Sequence, residues 1–84
     1  MGELQMLHNI GKALELQLEA AGVCNYDDLV RLGSRKVWLR IQAADPSACL
    51  NRLMALEGAI RGVRWHDLPE GEKAELRAFY RGHK

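Results

Sequence analysis

In Leu7-His8-Asn9-Ile10-Gly11-Lys12-Ala13-Leu14, a glycine and a lysine stand at the start of a helical pattern, a spacing suited to meeting a phosphate. Glycine lets backbone N–H groups at a helix N-terminus come close to an anion, the helix dipole favours negative charge there, and Lys12 can reinforce the contact. A second basic set, Arg31, Arg35, Lys36 and Arg40, is the densest in the chain, and helical spacing puts Lys36 and Arg40 on one side. Asn9, Gly11, Lys12, Arg35, Lys36 and Arg40 are therefore the candidate nucleic-acid contacts. Each feature also has a purely structural reading. Gly11 would equally permit close packing of the helix start against a neighbour, and the basic run would equally form a solvated face opposite Glu15, Glu19, Asp27 and Asp28. The structural readings are the stronger ones. Domains that depend on phosphate contacts usually carry a clear basic excess, whereas here 12 Lys and Arg against 11 Asp and Glu leave a formal charge of only +1.

Catalysis and metal binding find less support. His66-Asp67, with Glu57 upstream, is the sharpest candidate set, but adjacent residues seldom converge on one point, and no nucleophile or third ligand has suitable spacing. His8 and His83 lie near the ends and fit no H-E-x-x-H or C-x-x-C pattern, and no P-loop or dinucleotide fingerprint occurs. Cys24 and Cys49 are far apart and read as buried thiols. The expectation is a protein that is not an enzyme, with no catalytic residue, cofactor, metal or small-molecule substrate.

Short helices must position these residues. Asn9 is placed to cap a helix from Ile10 that carries Leu14, Leu18 and Ala21 on one face and stops at Gly22. Asn25 and Asp28 resemble a capping pair for a short second helix that contains Leu29 and ends at Gly33. Ser34 would cap a third, with Val37, Trp38, Ile41 and Ala44 as its apolar stripe. Asp45-Pro46 reads as a cap followed by proline in the first helical position, opening a long fourth helix. Cys49, Leu53, Leu56 and Ile60 line that helix, widened by Leu50 and Met54, up to Gly62. Within it Gly58 and Ala59 give a narrow surface suited to another helix, and Glu57 and Arg61 can pair. Trp65 is expected to plug the corner before Pro69 opens a last helix, acidic at its start (Glu70, Glu72) and basic at its end (Arg77, Arg81, Lys84). No segment alternates as a strand does. The predicted fold is all-α, a compact bundle of four main helices plus one short one. An apolar residue, a glycine-bearing turn, a helix, then Gly22-Val23 is also the order of a helix-hairpin-helix unit.

Residues 1–84 are read as one domain, since no Ser/Gly/Pro-rich stretch divides them, and 48% hydrophobic with 27% charged residues is ordinary for a globular chain. The N-terminus lacks a basic start followed by a long apolar run, and no stretch approaches membrane-spanning length, so a cytoplasmic location is expected. Pairing would let so short a chain bury more apolar surface, which makes dimerisation an expectation too.

Asn9-Ile10-Gly11-Lys12-Ala13-Leu14-Glu15, Ala20-Ala21-Gly22-Val23 and above all Ala55-Leu56-Glu57-Gly58-Ala59-Ile60-Arg61-Gly62-Val63-Arg64-Trp65-His66-Asp67-Leu68 resemble the C-terminal domain of the TfoX/Sxy competence-regulator family. The resemblance covers nearly the whole chain. It implies a compact helical domain related to helix-hairpin-helix folds, in proteins linked to bacterial competence and to transcription with the cyclic-AMP receptor protein. In that regulator an N-terminal domain precedes this one, and the resemblance implies a copy without it here. It brings no catalytic or ligand residues. The leading expectation is a regulatory module acting through protein contacts or self-association. The alternative is a helix-hairpin-helix DNA binder that grips the phosphate backbone through the Asn9–Lys12 hairpin and the basic helix.

Overall fold

The computed structural model describes residues 9–83. Five α-helices follow in order: α1 (Lys12–Ala20), α2 (Tyr26–Leu32), α3 (Ser34–Ala44), α4 (Leu50–Arg61) and α5 (Glu70–His83), with a 3₁₀ turn at Trp65–Asp67 before α5. No strand occurs among the described residues, and α2, with 7 residues, is the one short helix.

α4 is the centre of the packing, touching α2, α3, α5 and the 3₁₀ turn, while α1 leans on α3. Of its expected stripe, Leu50 and Ile60 are partly buried and Cys49 is exposed. Leu53, Met54, Leu56 and Ala59 are buried, and Gly62 closes the helix in the left-handed conformation. Trp38 of α3 is fully buried, with Phe79 and Tyr80 of α5 edge-on to it at centroid distances of 6.1 and 5.6 Å. Its indole N–H donates to the Cys49 carbonyl at 3.1 Å, so the largest core side chain keeps its one polar atom paired. Leu18, Leu29 and Leu76 bring α1, α2 and α5 to the same core. Tyr26 ties α2 to α4, donating to the Ile60 carbonyl at 2.6 Å.

Several local expectations are corrected. α1 starts at Lys12 with Gly11 as its N-cap, and Asn9 caps nothing; it stands at φ +71° with its amide turned toward α4. Ser34 is a buried helical residue whose hydroxyl donates to Glu57 of α4 at 2.6 Å, so that the helix begins on Gly33 without a side-chain cap. α4 opens at Leu50 rather than after Asp45. The Asp45 carboxylate accepts from the Ser47 backbone N–H (3.1 Å) and hydroxyl (2.5 Å), forming a local turn that ends α3 and delays the next helix. Cys49 therefore lies before the helix with its side chain exposed, and Cys24 is exposed in the α1–α2 connection, so neither is a buried thiol. Ala44, at the end of α3, is exposed.

The narrow surface at Gly58 does not receive another helix. A Cβ built there would stand 2.6 Å from Asn9 Nδ2, 2.8 Å from the Val63 carbonyl oxygen and 3.1 Å from the Trp65 nitrogen. The occupants are the Asn9 amide and the backbone of the connector to α5. Asn9 Nδ2 donates to the Val63 carbonyl at 3.0 Å and more weakly to Ala55 at 3.4 Å, and Asn9 Oδ1 accepts from the Trp65 N–H at 3.2 Å. One side chain thus pins the chain ahead of α1 to the end of α4 and the start of the 3₁₀ turn. Trp65 itself is half-buried against the core, in the corner expected for it.

Candidate functional site

The six residues considered for nucleic acid do not form one patch. Gly11 is exposed, and a Cβ added to it would meet none of the described residues within 4 Å, so close packing against one of them is not its role. Lys12 and Lys36 are exposed and carry no ion pair among the described residues. Asn9 is turned inward. Arg35 faces α5, 3.7 Å from Glu75, with its guanidinium 5.9 Å from the centre of the Phe79 ring. Arg40 faces the opposite neighbour, donating to the Ala21 carbonyl at the end of α1 at 3.2 Å, which satisfies one of that helix's terminal acceptors. Arg31 pairs with Asp28 at 2.7 Å, as a solvated face would have it, whereas Glu15 is buried.

The groups with perturbed ionisation join elements. Burial pushes the Glu57 carboxyl up, but hydrogen bonds from Ser34 and Arg61 and the Arg61 and Arg35 charges outweigh it and hold the group below its ordinary value. Arg61, held charged most strongly by its hydrogen bond to Glu57, also reaches Glu72 at 2.7 Å, so this network links α3, α4 and α5. Asp45 is held far below the usual carboxylate range, chiefly by the Ser47 hydroxyl, then by Arg52 at 2.8 Å and the Ser47 N–H, with Gln17 of α1 also donating at 2.8 Å. With Glu57 committed to Ser34 and Arg61, it does not join His66 and Asp67. Both of these are exposed, and the His66 ring stacks on Trp65 at 3.9 Å.

The feature that sequence reasoning passed over is apolar. Leu16 is 57% exposed, the most exposed large hydrophobic side chain among the described residues, followed by Val30 at 46%. On α1 the inward face is Leu14, Glu15 and Leu18, while Lys12, Ala13, Leu16, Glu19 and Ala20 all face solvent. The signal was present: Leu16 stands two residues from both Leu14 and Leu18, about 200° around a helix from each, and so off their stripe. Beside Ala20 this surface runs into a shallow cleft of about 70 Å³ between α1 and α3, lined by Gln17, Ala20, Ala21, Arg40, Ile41, Ala44 and Asp45. The candidate site is thus the outer face of α1 with its adjoining cleft. An exposed leucine flanked by alanines and by one charge of each sign is suited to meeting another helix.

The TfoX C-terminal domain family matches residues 1–80. Two solved structures from Listeria monocytogenes are similar over almost the whole chain. One, an uncharacterised protein in a triclinic crystal form, is 46% identical over 94% of this chain and 90% of its own, with a TM-score of 0.93. The other, a protein of unknown function in a tetragonal form, is 44% identical over 95% and 99%, also with a TM-score of 0.93. No curated protein matches.

Proposed function

The chain belongs to the TfoX C-terminal domain family, and from that premise we propose that it is a non-enzymatic regulatory module of the competence-regulator type, working in the cytosol by docking on protein in transcription control. The observation that carries this reading is Leu16, 57% exposed at the middle of the outer face of α1. Full burial of a leucine is worth roughly 1.5–3 kcal/mol, so covering the exposed part of Leu16 would contribute about 1–2 kcal/mol. The ionised groups support the same reading, since Asp45, Glu57 and Arg61 are each taken up in fastening one helix to another.

A photo-crosslinking residue at position 16, in cells producing the chain, tests this. Protein adducts at 16 that vanish when Ala13 and Ala20 are both replaced by Glu are the expected result. Absence of any protein adduct would remove the docking reading.

One observation favours the DNA reading as a second choice: among the described residues nothing crowds Gly11 at the start of α1, and Lys12 beside it and Lys36 are both free of ion pairs. A helix-hairpin-helix contact would use that opening for a phosphate. Fluorescence anisotropy with labelled duplex DNA, at low and physiological salt, separates the two. Micromolar binding that falls steeply with salt and is lost in a folded Lys12→Glu, Lys36→Glu, Arg40→Glu variant would replace the docking reading by this one.

A further inference from the structure

The outer face of α1 is complementary to itself. Taking Leu16 as the centre, Lys12 and Glu19 lie about 40° and 60° to one side of it around the helix, and Ala13 and Ala20 about 60° and 40° to the other. Along the axis, Lys12 stands about 6 Å before Leu16 and Glu19 about 4.5 Å after it. A two-fold axis passing beside Leu16, perpendicular to the plane of two antiparallel helices, preserves the side and reverses the direction. It therefore sets Lys12 of each copy level with Glu19 of the other, within about 1.5 Å along the axis, on one flank of a Leu16–Leu16 contact. The same operation sets Ala13 of each copy opposite Ala20 of the other on the second flank. Only methyl groups intervene there, so the backbones can approach closely.

We infer that this face is a homodimer contact: two copies of the chain pair antiparallel through α1, with Leu16 at the two-fold axis and reciprocal Lys12–Glu19 ion pairs beside it. The inference rests on the reading that the chain acts through protein contacts and names the partner as a second copy. Four observations support it. All five residues are exposed in the single chain, and Leu16 is the most exposed large apolar side chain in the described structure. Neither Lys12 nor Glu19 has an ion pair among the described residues, although Arg31, Arg35, Arg52, Arg61 and Lys73 all do. The charges are of opposite sign at the two ends of one flank, so an antiparallel two-fold pairs them, whereas a parallel two-fold would leave them unpaired opposite Ala13 and Ala20 of the other copy. Finally, the apolar surface continues past Ala20 into the cleft beside Ile41 and Ala44, which widens the contact on the alanine flank. A single helix pair lies at the small end of specific interfaces, so a dissociation constant at about the micromolar level is expected.

Analytical ultracentrifugation of the purified chain from about 10 μM to about 1 mM, with circular dichroism to check folding, tests this. The wild type is expected to be in monomer–dimer equilibrium. Lys12→Glu and Glu19→Lys, each of which opposes like charges twice across the axis, should each weaken dimerisation by about tenfold or more. The double variant restores both pairs in reverse and should return to within about threefold of wild type, an outcome that damage to a single monomer would not give. Leu16→Asp should be monomeric throughout. A wild type that stays monomeric at the highest concentration, or a dimer indifferent to both single charge reversals, overturns the inference. If the wild type is monomeric and position 16 still crosslinks to other proteins in cells, only the second-copy assignment fails. If it is monomeric and position 16 gives no protein adduct, the docking reading fails with it.

Discussion

Gly58 excludes a side chain through polar atoms rather than through another apolar surface, and this sets the sign of its replacement. Alanine in mid-helix ordinarily gains about 1 kcal/mol over glycine. Here its methyl would stand 2.6 Å from the Asn9 amide nitrogen and 2.8 Å from the Val63 carbonyl oxygen, displacing the hydrogen bond between them. Gly58→Ala is therefore expected to destabilise by about 1–3 kcal/mol in urea unfolding, against its helix propensity. Asn9 is the complementary case. Asn9→Ala removes both hydrogen-bonding ends of the amide and places a residue that resists positive φ at +71°, for an expected loss of about 2–4 kcal/mol. Asn9→Gly keeps the backbone at ease and loses only the amide, so its cost should be smaller by about 1 kcal/mol, measured the same way.

At the scale of elements, the α3–α4 junction is organised by one carboxylate. Asp45 accepts from Ser47, Arg52 and, across to α1, Gln17. Its folded-state value is depressed, so the stability it contributes is complete above the unfolded carboxylate range, near pH 4, and is lost as the pH falls below that toward the folded value. Thermal unfolding of the wild type should therefore worsen between pH 5 and about pH 2. Asp45→Asn should be less stable at pH 7 and flatter across that acid range, and equal slopes in the two proteins would argue against the role of the charge. The other junctions show what the sequence made legible. Asn25 does cap α2 through the Asp28 N–H at 2.8 Å, Gly33 and Gly62 do end helices, and α5 does follow Pro69 with acidic residues in its first turn. These signals are complete within four or five residues. Asp45-Pro46 and Asn9 carry the same local signatures, but the Asp45 carboxylate closes a turn on Ser47 and also reaches Gln17 of α1, while the Asn9 amide is claimed by Val63, far along the chain. The candidate site was less legible than the fold. Lys12 stands out in the sequence as a cation beside a glycine at a helix start, while Leu16, two residues off the apolar stripe, is the residue that marks the surface.

Taken as a whole molecule, the chain separates what folds it from what it presents. Leu16 is not one of the side chains packed against the core, so the unfolding free energy of Leu16→Asp should stay within about 1 kcal/mol of wild type even as self-association is lost. Calorimetry below the dimerisation range checks this. The fastening of Asn9 has a kinetic corollary. Its three partners, Ala55, Val63 and Trp65, are 46, 54 and 56 residues away along the chain, so these bonds cannot form until most of the polypeptide has been brought into place. Helices that need only neighbours form before such a long loop can close. In stopped-flow chevrons, Asn9→Ala should thus leave the refolding limb almost where it is and raise the unfolding limb by nearly the full equilibrium loss. The Asn9 side chain then acts as a late clasp, setting how long the native state lasts rather than how fast it is reached.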